Sequence, residues 1–569
     1  MNVRRWMPWA FSTILVFLLA SCAAKVKPLD ASYVRTEPQP LELKGGKVPV
    51  TIHINFPDKW FPKNATMRIT PVLKFAKGER WGTEYRFQGE KVRGNATTVT
   101  YNNPRSATLH SDFVYKPEMA VSTLVLMIEA EIGHKQIKLA DIKIGEGVLS
   151  TEALASAEYS SPAIAPDIFQ RVIKEKYDAD IHFLIQQANI RGSELNKMDV
   201  KEWKNVVESA NTTPNQRVNV EVQAYASPDG GIELNEKLAA QREKNTTKEL
   251  KREFKKTNTD VEVDAHYTAQ DWEGFKELLE KSDIQDKEIV LRVLSMYDDP
   301  EVREREIKNI SYVFGQLADE ILPLLRRSRL VANVEIIGKS DEEIAKLAKE
   351  RPGMLNLEEL LYAATLTNDI SRQRAIYTSA TQVSPNEPRA YNNLGALAYK
   401  EGNYALAKQY FEKAQSIDRA NNIVTPETMM NMGLIKMLEG DDNEAQTLIG
   451  QVSGVPELNE ALGLIYIKQG KYPEAAKALY DARTNNGILA QILNKDYNRA
   501  LELFDMTTKR DEMTYYLQAL IGARTSQTDI IQKGITEAVK INPSIAPTIL
   551  KDKEFARYAT QRFFLDALQ

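Results

Sequence analysis

A repeated spacing of small residues in the last third of the chain constrains its fold more than any other feature. In three segments a glycine is followed by a second glycine 7 residues later and by an alanine 12 residues later. The three sets are Gly395, Gly402 and Ala407; Gly433, Gly440 and Ala445; and Gly463, Gly470 and Ala475. Successive sets start 38 and 30 residues apart, and a period in this range is typical of helical solenoids. Leu, Ala and Tyr recur at helical spacing from about residue 354, so we predict an all-α solenoid over 354–569.

The pattern resembles the tetratricopeptide repeat (TPR), a helix pair of about 34 residues. The resemblance implies that small residues let the two helices approach closely, while bulky residues interlock with the next pair. Eight positions receive this structural role: Leu394, Gly395, Ala407, Phe411, Gly433, Ala445, Gly463 and Ala475. Less regular units are expected around Ala375, around 500–504 and near Ala538. Such solenoids commonly hold a peptide or a partner helix on a concave face. Candidates for that face are Tyr399, Asn431 and Lys468, with ordinary solvated surface as the alternative for each.

The start of the chain has the features of an export signal. Basic residues are followed by an apolar run from Trp9 to Ala20 and then by Cys22, the only cysteine. Such a run is typical of a signal peptide and is too short for a comfortable membrane span. The order of residues 19–22 resembles the lipobox of bacterial lipoproteins. The resemblance implies a signal peptide over 1–21 and lipid, such as palmitate, on Cys22, with an uncleaved membrane anchor as the alternative.

The residues after Cys22 bear on localisation and on partners. The position directly after Cys22 is not aspartate and no acidic cluster follows it; by analogy with lipoprotein sorting this implies a lipid-anchored outer-membrane protein facing the periplasm. Residues 22–47 are then a lipidated linker. A single cysteine excludes an intramolecular disulfide and a multi-cysteine metal site. The 74 Lys and Arg against 78 Asp and Glu leave a net charge of -4, so no basic field exists to attract nucleic acid.

Residues 48–153 have the pattern of a β-domain. Alternating β-rich runs over 51–55, 65–75, 97–101 and 121–132 are separated by proline and asparagine. This spacing predicts a β-sandwich of about a hundred residues. A stretch rich in Ala, Ser and Pro, about 154–166, follows it and is expected to be an interdomain linker.

Residues 167–340 alternate between strand and helix patterns. Strands are expected at 180–185, 218–226, 261–267 and 330–336. Helices are expected at 201–208, 234–254 and 272–281, with more helix between 288 and 325. This order predicts helices packed on a small sheet, so the whole chain is a multidomain α+β protein.

The centre of this α/β region resembles the OmpA-like domain, in a variant found in lipoproteins of Bacteroidota. The residues that carry the resemblance are Tyr225, Gly230, Asn235, Leu238 and Arg242. In that family a turn aspartate and this arginine bind the charged ends of diaminopimelate in peptidoglycan, which suits a carboxylate and a guanidinium. Ser227 occupies the place of the aspartate, and Asp229 is the nearest carboxylate. The resemblance implies a peptidoglycan-binding set of Ser227, Asp229, Asn235 and Arg242.

Motifs for catalysis are missing from the sequence. It has no Walker motif, HExxH, dinucleotide fingerprint or Gly-x-Ser-x-Gly elbow, and its five histidines are scattered. We predict no enzymatic activity, cofactor or metal, with an envelope hydrolase as the alternative. The predicted function is a periplasmic scaffold or adaptor whose solenoid binds proteins of an outer-membrane assembly or secretion complex. The alternative function is a peptidoglycan tether that links the outer membrane to the cell wall.

Overall fold

The computed structural model describes residues 26–569, which divide into two compact units. The first unit combines residues 26–166 with 384–569, and the second contains 167–383. The predicted signal peptide and Cys22 lie outside the described residues. Every helix in the described part of the chain is too short or too polar for a membrane span.

The first part of unit one is a β-rich domain. Its strands are β1 (Val34–Glu37), β2 (Leu41–Glu42), β3 (Lys47–Ile54), β4 (Ala65–Phe75), β5 (Gly78–Trp81), β6 (Tyr85–Gly89), β7 (Thr97–Val99), β8 (Ala107–Val114), β9 (Ser122–Ile132), β10 (Lys135–Lys138), β11 (Ile142–Glu146) and β12 (Val148–Leu149). One sheet has the order β1-β3-β8, and a larger one has the order β10-β9-β4-β6-β7, with β11 on β9 and β5 on β4. Ile52 of the first sheet and Ile128 of the second belong to one buried core. The region is therefore β-rich as predicted, and its arrangement as a sandwich stays a prediction.

The β-rich domain begins earlier than the predicted residue 48. β1 pairs antiparallel with β3, and β2 pairs in parallel with β12. Leu41 and Leu43 are buried in the domain core. Most of the expected linker over 22–47 is therefore structured, because short edge strands with few apolar residues carry little periodic signal.

Unit two is built on a four-stranded sheet of order β13-β16-β14-β15. Its strands are β13 (Val172–His182), β14 (Gln216–Tyr225), β15 (Val263–Thr268) and β16 (Arg327–Ile337). The helices between the first three strands are α1 (Gly192–Leu195), α2 (Met198–Thr212) and α3 (Ile232–Lys256). β16 runs antiparallel to both neighbours, whereas β14 and β15 are parallel. Trp203 and Phe254 bring α2 and α3 into the sheet core.

The first strand of this sheet differs from its expected position at 180–185. It covers 172–182 and is an edge strand in which only Ala179 and Ile181 are buried. Its first half is exposed and rich in charged residues, and its buried apolar residues lie near its end. The sequence pattern therefore predicted the strand too close to its C-terminal end. The other three strands overlap their predicted ranges.

Further helices complete unit two. They are α4 (Trp272–Lys281), α5 (Lys287–Met296), α6 (Pro300–Asn309), α7 (Ser311–Glu320), α8 (Leu322–Leu325), α9 (Asp341–Glu350), α10 (Leu357–Thr365) and α11 (Ile370–Val383). The helices α4–α8 lie between β15 and β16 and share a core of their own around Phe275 and Leu317. The pair α10–α11 belongs to this unit, although the solenoid was expected from 354. Lys339 forms an ion pair with Glu359, and Phe169 stacks on Tyr362.

The second part of unit one is a solenoid of helix pairs. Its helices are α12 (Pro388–Lys400), α13 (Tyr404–Asn421), α14 (Pro426–Leu438), α15 (Asp442–Ile449), α16 (Leu458–Lys468), α17 (Tyr472–Ala478), α18 (Asn485–Leu493), α19 (Tyr497–Met506), α20 (Glu512–Thr525), α21 (Thr528–Ile541), α22 (Ala546–Lys551) and α23 (Arg562–Ala567). From α12 to α21 they pack in consecutive pairs, and each pair contacts the next. This is the all-helical C-terminal region that the repeat predicted.

Candidate functional site

In three helix pairs the repeated spacing places a glycine of the first helix against a bulky side chain that follows in the second half of the pair. A Cβ atom on Gly395 would lie 2.5 Å from the Phe411 ring, and one on Gly433 would lie 2.5 Å from Ile449. Gly463 stands in the same relation to Leu479, at 2.3 Å. Ala407, Ala445 and Ala475 are fully buried, and Leu394 is buried as well. The predicted structural residues therefore lie at the contact between the two helices of each pair.

A continuous segment of the same chain lies along the first helices of these pairs. We call residues 154–166 the groove segment. Its residues contact α18, then α16, α14 and α12, so it runs opposite to the order of the helices. Residues 154–166 were expected to be a linker, and they are instead a segment that contacts the solenoid and is mostly buried or half-buried.

Three asparagines hold the backbone of the groove segment, each through both of its amide atoms. We call Asn393, Asn431 and Asn486 the asparagine ladder. Asn393 accepts from the N–H of Ala165 at 2.7 Å and donates to its carbonyl at 3.0 Å. Asn431 binds Ala163 in the same way at 2.8 Å and 2.8 Å. Asn486 binds Ser156 at 3.2 Å and 2.7 Å.

Other side chains add single hydrogen bonds to the segment. Asn392 donates to the carbonyl of Ala163 at 3.1 Å, and Glu460 accepts from the N–H of Ser161 at 2.9 Å. The Tyr399 hydroxyl donates to the carbonyl of Ala157. Burial raises the pKa of the Tyr399 hydroxyl far above 10, so it remains a donor at neutral pH.

The asparagine ladder binds backbone N–H and C=O groups rather than side chains. A primary amide carries an acceptor and donors on one planar group, which matches the N–H and C=O of one residue in an extended chain. Every residue except proline offers that pair of groups. Two of the bound residues have small, buried side chains: Ala163 and Ala165 are exposed by 0% and 2%. The face can therefore bind an extended peptide with small residues at set positions.

The start of the groove segment is tied to the β-rich domain by a buried carboxylate. Glu152 accepts from the N–H groups of Gly45 and Gly46 at 2.7 and 2.9 Å. It also accepts from the Tyr472 hydroxyl of α17 at 2.7 Å. A second link joins Thr151 to Glu554, which also pairs with Arg524. These contacts join the β-rich domain to the solenoid within unit one.

Sequence reasoning identified part of this face. Tyr399 and Asn431 both contact the groove segment, whereas Lys468 forms an ion pair with Asp442 at 2.8 Å. Asn393 and Asn486 were missed. A signal existed for Asn393, since Asn393 and Asn431 each stand two residues before the repeat glycine.

The residues predicted to bind peptidoglycan meet in a second, smaller site in unit two. Ser227, Asp229, Asn235 and Arg242 line one pocket of about 70 Å³ at the end of β14 and the start of α3. Asn235 donates to the carbonyls of Ser227 and Gly230 at 3.0 and 2.8 Å. The amide of Asn235 therefore shapes the turn that carries Ser227 and Asp229.

The two charged residues predicted for this pocket are already engaged by the protein. Arg242 donates to the carbonyls of Gln187 and Tyr225 at 3.0 and 2.8 Å. Burial lowers its pKa to about 10, so the guanidinium stays charged at neutral pH. Asp229 accepts from the Ser227 hydroxyl and forms an ion pair with Arg326 at 3.1 Å. Arg326, which the sequence analysis missed, neutralises the carboxylate that was expected to receive an ammonium.

Within 26–569 no group of three or more His, Cys, Asp or Glu side chains could hold a metal ion.

Comparison with known proteins identifies the repeat. The family model described as the tetratricopeptide repeat matches residues 388–421, which cover α12 and α13. Together with the helix-pair geometry, this match shows that the chain contains tetratricopeptide repeats. No curated protein sequence matches the chain.

Several solved structures resemble part of the chain. A chain of the APC/C hetero-tetramer Cut9–Hcn1 is 15% identical, with a TM-score of 0.29 over 40% of this chain and 45% of that one. Pseudomonas aeruginosa PilF is 14% identical, with a TM-score of 0.27 over 38% and 99%. A tetratricopeptide repeat protein from Parabacteroides merdae is 14% identical, with a TM-score of 0.26 over 42% and 93%. The present chain spans less than half of the Cut9–Hcn1 chain that it matches.

Proposed function

We propose that this protein is a non-enzymatic scaffold of the bacterial outer membrane, anchored through lipid on Cys22, whose solenoid binds protein partners of an envelope complex. The observation that carries the proposal is the asparagine ladder, which holds backbone groups of the groove segment on the first helices of the repeats. Tetratricopeptide repeats act in protein–protein interaction. The envelope location is supported by the sequence around Cys22.

The scaffold function is tested by co-purification. The tagged, lipidated protein is isolated from detergent-solubilised outer membranes, and its partners are identified by mass spectrometry. We expect a stoichiometric envelope protein that is lost when residues 384–569 are deleted. Lipidation is tested in parallel by comparing the membrane fractionation of the native chain with that of Cys22→Ser. We expect the variant to be lost from the membrane fraction. Recovery of every partner without the solenoid would reject the scaffold function.

A peptidoglycan tether is the second candidate, because one pocket contains all four residues that the OmpA-like resemblance nominated. The test is co-sedimentation with purified sacculi. Arg242→Ala is a poor probe, since it removes hydrogen bonds to two backbone carbonyls and will weaken the fold. Asp229→Asn is better, because its side chain is at the pocket and retains an acceptor for Ser227. The tether predicts sedimentation of the native chain and at least a tenfold loss with Asp229→Asn.

A further inference from the structure

We propose that the face built by the asparagine ladder is a site for extended peptides with small side chains at set positions, and that the groove segment fills it in the resting chain. The inference rests on the scaffold function and deepens it, because it states which ligand the solenoid takes and what blocks it. A partner with such a segment would bind only where the groove segment has left.

The hydrogen bonds of the asparagine ladder do not depend on the amino-acid sequence of the groove segment. The three ladder asparagines make their bonds to N–H and C=O groups of Ser156, Ala163 and Ala165. A peptide from another protein offers the same groups in an extended conformation, which the groove segment adopts on either side of the 3₁₀ turn Ala157–Tyr159. Backbone hydrogen bonds supply affinity in this mode of recognition, and side-chain pockets supply specificity.

Burial defines which side chains the site accepts. Ala157, Ala163 and Ala165 are exposed by 2%, 0% and 2%, so each fits a space closed around a methyl group. Glu158 between them is exposed. We therefore expect the ligand to have Ala, Ser or Gly at the three closed positions and to tolerate a large residue at the position of Glu158.

Contacts outside the groove segment also hold the two parts of unit one together. Glu152, which precedes it, joins Gly45 and Gly46 of the β-rich domain to Tyr472 of the solenoid. The ion pair between Glu146 and Lys553 adds to this link. A cavity of about 440 Å³ also lies beside residues 158–162 and gives an entering peptide room to begin exchange.

Covalent attachment gives the groove segment a large advantage over any free peptide. A short tether holds a segment at an effective concentration of about 1 mM. If the empty face binds a peptide with a Kd of about 10 µM, the occupied face will show an apparent Kd about 100 times weaker. The native chain should therefore bind such peptides poorly.

The test uses the full-length protein and a fluorescent peptide with the sequence of residues 153–167. Ala163→Trp places a large group in a closed position and should release the groove segment. We expect this variant to bind the labelled peptide about 100-fold more tightly than the native chain, measured by fluorescence anisotropy. Glu158→Trp, at an exposed position of the same segment, is the matched control and should bind as the native chain does.

Two further measurements test the ladder itself. Adding Asn431→Ala to Ala163→Trp should weaken peptide binding at least tenfold, and a labelled peptide with Arg at the position of Ala163 should not bind. Far-UV circular dichroism verifies that each variant is folded, and Ala165→Trp replaces Ala163→Trp if the latter is not. A folded variant that binds no better than the native chain overturns the inference, as does tight binding by the native chain. Loss of partners in the co-purification experiment is independent of both results.

Discussion

Asn431 is a fully buried polar side chain whose amide is completely engaged. Its oxygen accepts from Ala163, and its nitrogen donates to the carbonyl of Ala163 and to Asn392. Burying an amide without partners costs several kcal/mol, so such a residue is stable only with its ligand in place. At the scale of single residues, the groove segment and the asparagine ladder therefore stabilise each other.

Asn431→Ala is expected to lower the free energy of unfolding by about 2–4 kcal/mol. The substitution leaves the buried N–H of Ala163 without its acceptor, at about 1–3 kcal/mol, and removes one of two donors to its carbonyl, to which Asn392 still donates. Chemical denaturation measures the effect. Asn443→Ala, at an exposed position of α15, is the control and should change stability by less than about 0.5 kcal/mol. Equal effects of the two substitutions would contradict the role of the ladder.

A second prediction at the scale of single residues concerns the carboxyl of Asp552 and the pH dependence of stability. Burial raises the pKa of its carboxyl above 3.8, and the charge of Glu554 adds to the effect. The folded chain therefore holds this proton more tightly than the unfolded chain, so the contribution to stability is present below pH 3.8 and is lost as pH rises through the folded pKa. Asp552→Asn keeps an acceptor for Tyr516 and removes the titration.

The expected result is a difference between two stability curves. From about pH 4 upward, the native chain should lose stability relative to Asp552→Asn with a slope of at most about 1.4 kcal/mol per pH unit. Denaturation at a series of pH values measures both curves. Parallel curves throughout this range would show that the pKa of Asp552 is the same in the folded and unfolded chains.

At the scale of elements, the helix pairs share a left-handed turn that only some of them mark with glycine. Gly402, Gly440 and Gly470 have φ of 76°, 81° and 70°. The next two pairs place Lys495 and Ser526 at the same point, with φ of 66° and 61°. The later repeats keep the geometry without the glycine, so a search by glycine spacing finds only the first three.

The role of glycines inside helices can be tested with the same substitution, Gly→Ala, at two positions where we expect opposite effects on stability. Gly395→Ala places a Cβ 2.5 Å from the Phe411 ring and should destabilise the solenoid by about 1–3 kcal/mol. Gly315→Ala, at an exposed position of α7, meets no described heavy atom within 4 Å and should stabilise its helix by up to about 1 kcal/mol. Calorimetry of the two variants measures both shifts. A destabilising Gly315→Ala would show that helix propensity is not the deciding factor there.

At the scale of the whole molecule, unit one is assembled from parts distant in sequence. The β-rich domain and the solenoid are separated along the chain by all of unit two, yet they belong to one compact unit. Glu152 is 5% exposed and accepts hydrogen bonds from both parts. We infer that the β-rich domain and the solenoid unfold cooperatively.

Glu152→Ala is expected to weaken this cooperation. The substitution removes the acceptor from the N–H groups of Gly45 and Gly46 and from the Tyr472 hydroxyl, at a cost of about 3 kcal/mol. Hydrogen exchange should rise together in β3 and in α16–α17. Glu158→Ala, at an exposed position, serves as the control and should leave exchange unchanged. Increased exchange in only one of the two parts would argue against a common unfolding unit.

Local patterns predicted much of the fold. Spacing and turn residues that lie within a few positions of one another in the sequence predicted the helix pairs, three of the four strands of unit two and helix α4. The pocket around Arg242 was predicted in part, through a resemblance that places Asn235 and Arg242 on one helix face. Arg326 could not be predicted, because it reaches Asp229 from 97 residues away.

The sequence by itself determined the repeat, the β-rich region and the order of elements, since periodicity and turn chemistry act over short separations. The tertiary structure alone decided that residues 154–166 lie along the first helices of the solenoid pairs. Their Ala, Ser and Pro composition is that of a linker, and their partners Asn393, Asn431 and Asn486 lie 228, 268 and 330 residues away. Backbone groups that any residue carries make these bonds, so no side-chain pattern in the segment could reveal them.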